Sequence, residues 1–145
     1  MDENLHRRLL SKEESMNLHT KLKQRWGVSG YWYPLKTPVP KDLDIICLVD
    51  ECFEPYITKL QNALLALNVT KIYELREYGD EYEIETKFFE PYYSGAEGYW
   101  FDKKMEWLIY VSHENSITFA GSLIVKLIKD IFPNYKSCLW GEYYP

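Results

Sequence analysis

The sequence predicts an α+β fold in which a single layer of mostly antiparallel sheet packs against two or three helices. Two observations carry this. Apolar residues recur every three or four positions over 53–67 and 122–132, whereas between those segments they alternate every second position. The alternating segments are joined by short turns and the helical ones lie outside them, the arrangement of helices beside a run of antiparallel strands.

In chain order, Ser11 supplies the N-cap of a first helix, because Glu14 stands three residues on and completes a capping box. That helix runs to Trp26 and stops at Gly27. Its apolar positions, Met16, Leu18, Leu22 and Trp26, are sparse, which places it at the margin of the core. Pro34, Pro38 and Pro40 impose an extended connection to the main body. The strand over 44–49 is apolar throughout, as a central strand would be. Phe53, Tyr56, Ile57, Leu60, Ala63, Leu64 and Leu67 form one face of a second helix, with Pro55 in its first turn. A strand around 72–78 is followed by Gly79-Asp80, a hairpin turn, and then by a strand in which Tyr82, Ile84, Thr86 and Phe88 alternate with Glu81, Glu83, Glu85 and Lys87. Residues 94–98 read as a loop. Strands follow over 99–101, 106–112 and 116–120, the last two joined by a turn at His113-Glu114-Asn115. A third helix runs from Ser122 to Phe132, with Leu123, Ile124, Leu127, Ile128 and Ile131 on one face and Pro133 at its end.

A chain of 145 residues is expected to form a single domain over 1–145. Within it, 1–41 holds the N-terminal helix and Pro-rich connection, 42–132 the α+β core, and 133–145 an aromatic tail. The tail contains Tyr135, Trp140, Tyr143 and Tyr144, too many aromatics for a disordered end, so it is expected to pack back on the sheet or to anchor a partner. The start of the chain has no apolar core of a signal peptide, and no run reaches the roughly 18 apolar residues of a membrane span, which points to the cytoplasm. Cys47, Cys52 and Cys138 are odd in number and sit among apolar residues, the pattern of buried, reduced thiols.

Charge is distributed unevenly. Between Glu74 and Glu97 stand eight acidic residues (Glu74, Glu77, Asp80, Glu81, Glu83, Glu85, Glu90, Glu97) against Arg76 and Lys87, a local balance of −6 in a chain whose net charge is −5. On a strand, Glu81, Glu83 and Glu85 share one face about 7 Å apart. Like charges that close repel, and a basic protein partner relieves them, although a plain solvated sheet face also carries such charges. With the neighbouring Tyr99 and Trp100, these three glutamates form the predicted partner-binding surface. Glutamates at every second position of one flat strand do not converge on a metal ion.

No motif identifies a reaction. Ser112, His113 and Glu114 are consecutive, and adjacent residues of an extended chain point to opposite faces, so they do not form a relay. His113 and Glu114 stay as the alternative catalytic pair, because a loop histidine titrates near neutrality. His6 and His19 do not make a metal site with His113. The sequence has neither a phosphate-binding loop nor a dinucleotide fingerprint, and its acidity disfavours nucleic acid. Lys21, Lys23 and Arg25 read as a solvated helix face. No cofactor is implied.

The size, acidity and layout of the chain resemble the immunity proteins of bacterial toxin systems. Trp107-Leu108-Ile109-Tyr110 and Ser116-Ile117-Thr118-Phe119-Ala120-Gly121, leading into a final helix, are similar to strand–turn–strand segments of such proteins. The resemblance implies a non-enzymatic inhibitor that blocks a basic toxin by binding it through acidic and aromatic surfaces. The alternatives are a small hydrolase or ligand-binding domain using the His113-Glu114 hairpin, and a structural subunit that self-associates through exposed aromatics.

Overall fold

The structure, a computed structural model, describes residues 6–27 and 44–141. The Pro-rich connection, Tyr143 and Tyr144 lie outside these residues. Among the described residues seven strands form one sheet with every pairing antiparallel: β1 (Arg7–Leu9), β2 (Ile45–Val49), β3 (Lys71–Arg76), β4 (Tyr82–Glu85), β5 (Gly98–Phe101), β6 (Leu108–Val111) and β7 (Ser116–Ala120). Their spatial order is β1-β4-β3-β5-β6-β7-β2. The longer helices are α1 (Lys12–Trp26), α3 (Ile57–Ala66) and α4 (Ser122–Ile131), and a short turn α2 (Asp50–Phe53) precedes α3. The predicted α+β class holds.

Strand alternation divides the core in two. Ile46, Leu48, Ile72, Ile84, Trp100, Ile109, Val111, Ile117 and Phe119 face α3 and α4. Leu75, Tyr99, Phe101, Leu108, Tyr110 and Ala120 face the opposite way, toward Leu22 and Trp26 of α1. The first helix therefore does not sit at the margin. Its two innermost residues are fully buried, while Met16 is exposed, so α1 covers the second face of the sheet with few but large contacts. Its ends follow the expectation. The Ser11 side chain accepts from Glu14 N–H, the Glu14 carboxylate accepts from Ser11 N–H, and Gly27 closes the helix at φ 74°, a conformation glycine adopts without strain.

The second helix is broken where the sequence reading ran it continuously. Pro55 has no N–H to give, and Glu54–Tyr56 form a 3-10 turn between α2 and α3. Tyr56 stacks on Phe132 at 4.0 Å, so this turn ties α3 to α4. On α4 the buried face is Ile124, Val125 and Ile128, and Leu123 is exposed.

Strand β4 ends at Glu85, three residues earlier than the alternation suggested. Thr86–Phe88 turn as a 3-10 helix, with Thr86 N–H donating to Thr70 O. Phe89 takes the core position, and Phe88 is exposed and stacks on His6 at 3.7 Å. Strand β1 was not predicted; three residues with polar neighbours give no periodic signal.

Strand β2 lies at the end of the sheet, not at its centre. It is apolar because both of its faces are covered and its outer edge is also occupied. Leu139 bridges Leu48, Trp140 N–H donates to Cys47 O at 3.1 Å, and Trp140 Nε1 donates to Glu114 O at 3.0 Å. The described part of the aromatic tail thus packs back on the sheet. Beside it, Cys52 and Cys138 are half-buried rather than buried, both free, and their mutual hydrogen bond is the main cause pushing the Cys52 thiol up to about 11.

Replacing Leu139 by Asp and Trp140 by Ala is expected to uncover the β2 edge. The variant should lose about 2–4 kcal/mol of unfolding free energy in urea and associate with increasing concentration by light scattering. A variant with the wild-type midpoint and size would show that the tail does not protect this edge.

Candidate functional site

The three glutamates predicted as an outward surface lie on the side of the sheet that α1 covers, and they find their polar partners inside the chain. Glu81, just before β4, is buried; its carboxylate lies 2.5 Å from His19 Nε2 of α1 and accepts the Arg76 backbone N–H at 2.7 Å. Burial pushes this carboxyl up, but His19 and the Arg76 N–H outweigh it and hold the group below its ordinary value. Glu83 is half-buried and accepts from Arg8 Nε at 3.2 Å, its cross-strand neighbour on β1, with Lys71 Nζ at 3.9 Å. Glu85 is exposed, with His6 Nδ1 at 3.7 Å. Arg8 also clasps both carboxylate oxygens of Glu14 at 2.9 Å, which brings the Glu14 carboxyl down to about 2. The acidic strand is thereby joined to the cap of α1.

Tyr99 and Trp100 are not surface residues either. Tyr99 is 1% exposed under α1, and Trp100 is fully buried on the other face, because successive residues of β5 point to opposite covered sides. Of the five residues predicted to contact a partner, Tyr99, Trp100 and Glu81 are enclosed, Glu83 is engaged, and only Glu85 is open.

The other side of the β3–β4 end has a different character. Here α3 and α4 no longer cover the sheet, and a recess of about 870 Å³ opens between β1, β3, β4 and residues 88–96, with His6 and Arg7 on one wall, where Arg7 lies over the Tyr82 ring at 4.3 Å. Its floor is polar where the rest of that face is apolar. Glu74 and Arg76 of β3 follow Ile72 on this face; Glu74 accepts from Arg76 Nε at 3.2 Å and from Trp100 Nε1 at 3.1 Å. Arg76 Nη1 donates to Tyr92 O and Ala96 O, each at 3.1 Å, and the guanidinium lies over the Trp100 ring at 4.9 Å. Gly98 makes this stacking possible, since a Cβ there would fall 2.5 Å from Trp100 and 2.6 Å from Arg76.

Two of the three carboxylates without a partner among the described residues of this stretch line the recess. Of the eight acidic residues between Glu74 and Glu97, five engage partners: Glu74, Glu81, Glu83 and Glu85 as above, and Glu97 with His113. The carboxylates of Glu77, Asp80 and Glu90 have no hydrogen-bond or ion-pair partner among the described residues, and Asp80 and Glu90 line the recess. Tyr78, Phe88 and Tyr92 line it too, and they rank among the most exposed large hydrophobics of the chain, Tyr78 at 64%. The Tyr78 hydroxyl donates to Gly95 O, which fixes the ring across the mouth. A sequence signal for this site existed, in the departure of Glu74 and Arg76 from the apolar alternation of Ile72, but it points to a site only once the helices are known to stop short of it.

His113 meets Glu97, not Glu114. Its Nδ1 lies 2.6 Å from Glu97 Oε2, its backbone N–H donates to the same oxygen at 3.2 Å, and the Tyr110 hydroxyl donates to Oε1. Ser112 Oγ is occupied by Ser116 Oγ at 2.6 Å and by Glu114 N–H at 3.0 Å. The histidine therefore has an orienting carboxylate but no hydroxyl to activate, and it does not line the recess. Among the described residues no group of three or more metal-ligating side chains converges.

The hydrogen bond to buried Glu97 raises the His113 pKa, so the folded chain binds this proton more tightly than the unfolded one. The stability that His113 contributes is thus complete below about pH 6 and declines as pH rises through the raised value. The urea midpoint of wild type relative to His113→Gln should fall as pH rises above about 6.5; a pH-independent difference would contradict this pairing.

No family model, curated protein or solved structure matches this chain, so the geometry of the site carries the functional reading.

Proposed function

We propose that this chain is a non-enzymatic protein-binding module of the immunity type, a cytoplasmic bacterial inhibitor that neutralises a basic partner protein. The docking surface is the acidic and aromatic rim of the recess. It replaces the Glu81–Glu85 strand, whose charges are largely answered within the chain.

The observation that carries the reading is the coincidence of two unsatisfied features. Asp80 and Glu90 lack partners among the described residues, and Tyr78, Phe88 and Tyr92, which line the same recess, are exposed. Unneutralised carboxylates repel one another and attract a cationic surface from a distance. Exposed tyrosines are rigid, amphipathic anchors that bury large area at little entropic cost. The resemblance to immunity proteins supports the same class.

The partner to test is the protein that co-purifies with the chain or that the adjacent reading frame encodes. Asp80→Lys with Glu90→Lys should weaken its binding by about ten- to a hundredfold in calorimetry, abolish most of the salt dependence, and end protection in co-expression. Glu83→Gln should change affinity little. Unchanged affinity after the double reversal would remove this surface as the site.

A further inference from the structure

We propose that the recess takes a basic side chain and a backbone carbonyl from one segment of the partner, the cation meeting Asp80 and Glu90 beside Tyr78 and Tyr92 while Arg76 Nη2 donates to the carbonyl. The inference rests on the docking reading above and adds what the recess recognises.

Arg76 supplies the second point of recognition. Its side chain is nine-tenths buried, and Nε and Nη1 are committed to Glu74, Tyr92 O and Ala96 O. Nη2 has no acceptor among the described residues, yet it is not an enclosed atom, so it opens on the recess that Arg76 lines. Glu74 already balances the guanidinium charge. What the floor offers is therefore a pair of N–H donors rather than a free positive charge, and a neutral acceptor suits it.

The other candidates fit less well. An anion drawn to Arg7 on the wall would also meet the three carboxylates of Glu74, Asp80 and Glu90. An apolar side chain would cover the Nη2 donors without satisfying them, at a desolvation cost. A cation at the rim finds carboxylates and tyrosine faces together. The volume lies in the range of ligand-sized sites and exceeds what one side chain needs, which leaves space for backbone.

The probe is N-acetyl-L-arginine N′-methylamide, titrated into the full chain while the Trp100 indole N–H and Arg76 Nε–H resonances are followed by NMR. Two controls separate the contacts: butylguanidinium has the cation without the amides, and N-acetyl-norleucine N′-methylamide has the amides without the cation. The arginine amide should shift both resonances saturably, with a Kd on the order of millimolar as expected for a fragment. Both controls should bind more weakly, and butylguanidinium should leave Arg76 unmoved. The exposed substitutions Asp80→Asn with Glu90→Gln should weaken binding about tenfold. Absence of a saturable shift, equal binding of the norleucine control, or indifference to the double substitution would overturn the proposal. If the arginine amide fails while charge reversal still abolishes partner binding, the rim docks the partner and the recess stays unoccupied. Failure of both removes the docking reading as well.

Discussion

A sheet covered on both sides cannot leave a row of carboxylates unanswered, and this constraint organises one end of the molecule. Once Leu22 and Trp26 of α1 pack over β5 and β6, the neighbouring carboxylates of Glu81 and Glu83 lose much of their water. Charges withdrawn from water must be paired. Arg8 and His19, brought by the short strand β1 and by α1, meet that need, and Arg8 extends the connection to Glu14 in the cap of the helix. The N-terminal segment is both the cover and the counter-charge of the acidic strand. Leu10 N–H donating to Glu81 O keeps the two in register.

This internal pairing separates structural from available charge. The stretch around β3 and β4 holds carboxylates of two kinds, and sequence composition does not distinguish them. One kind faces α1 and is neutralised by it. The other, Asp80 and Glu90, lines a recess on the opposite side, where exposed tyrosines and the open Nη2 of Arg76 stand together. Unpaired carboxylates beside exposed aromatic rings are the features that a cationic partner surface complements. Hence the functional reading moves across the sheet from the strand that first suggested it.

The fold was legible wherever the signal was local. Ser11 with Glu14, Gly27, the stepped apolar residues of α3, and the alternation from Tyr82 to Ile84 are short-range patterns, and each formed the element it announced. Three-dimensional neighbours were not legible. An apolar strand is expected at a sheet's centre, yet β2 lies at its end because Leu139 and Trp140 return to cover it. Glu81, Glu83 and Glu85 share a face as their spacing requires, but nothing in the spacing tells that His19 and Arg8 lie over that face. For the same reason the pattern Tyr99-Trp100 suggested an exposed aromatic pair, while the fold buries one residue on each side. The partner of His113 was equally hidden, since Glu97 is distant in sequence and adjacent only across β5 and β6.

The distinction between paired and available carboxylates is most directly tested on two neighbours, Asp80 and Glu81, by urea denaturation of Asp80→Asn and Glu81→Gln. Glu81→Gln should lower the unfolding free energy by about 1–3 kcal/mol, because it replaces the carboxylate that His19 and Arg76 N–H contact by a weaker acceptor. Asp80→Asn should stay within about 0.5 kcal/mol of wild type. Two silent substitutions, or a larger loss at Asp80 than at Glu81, would contradict the account.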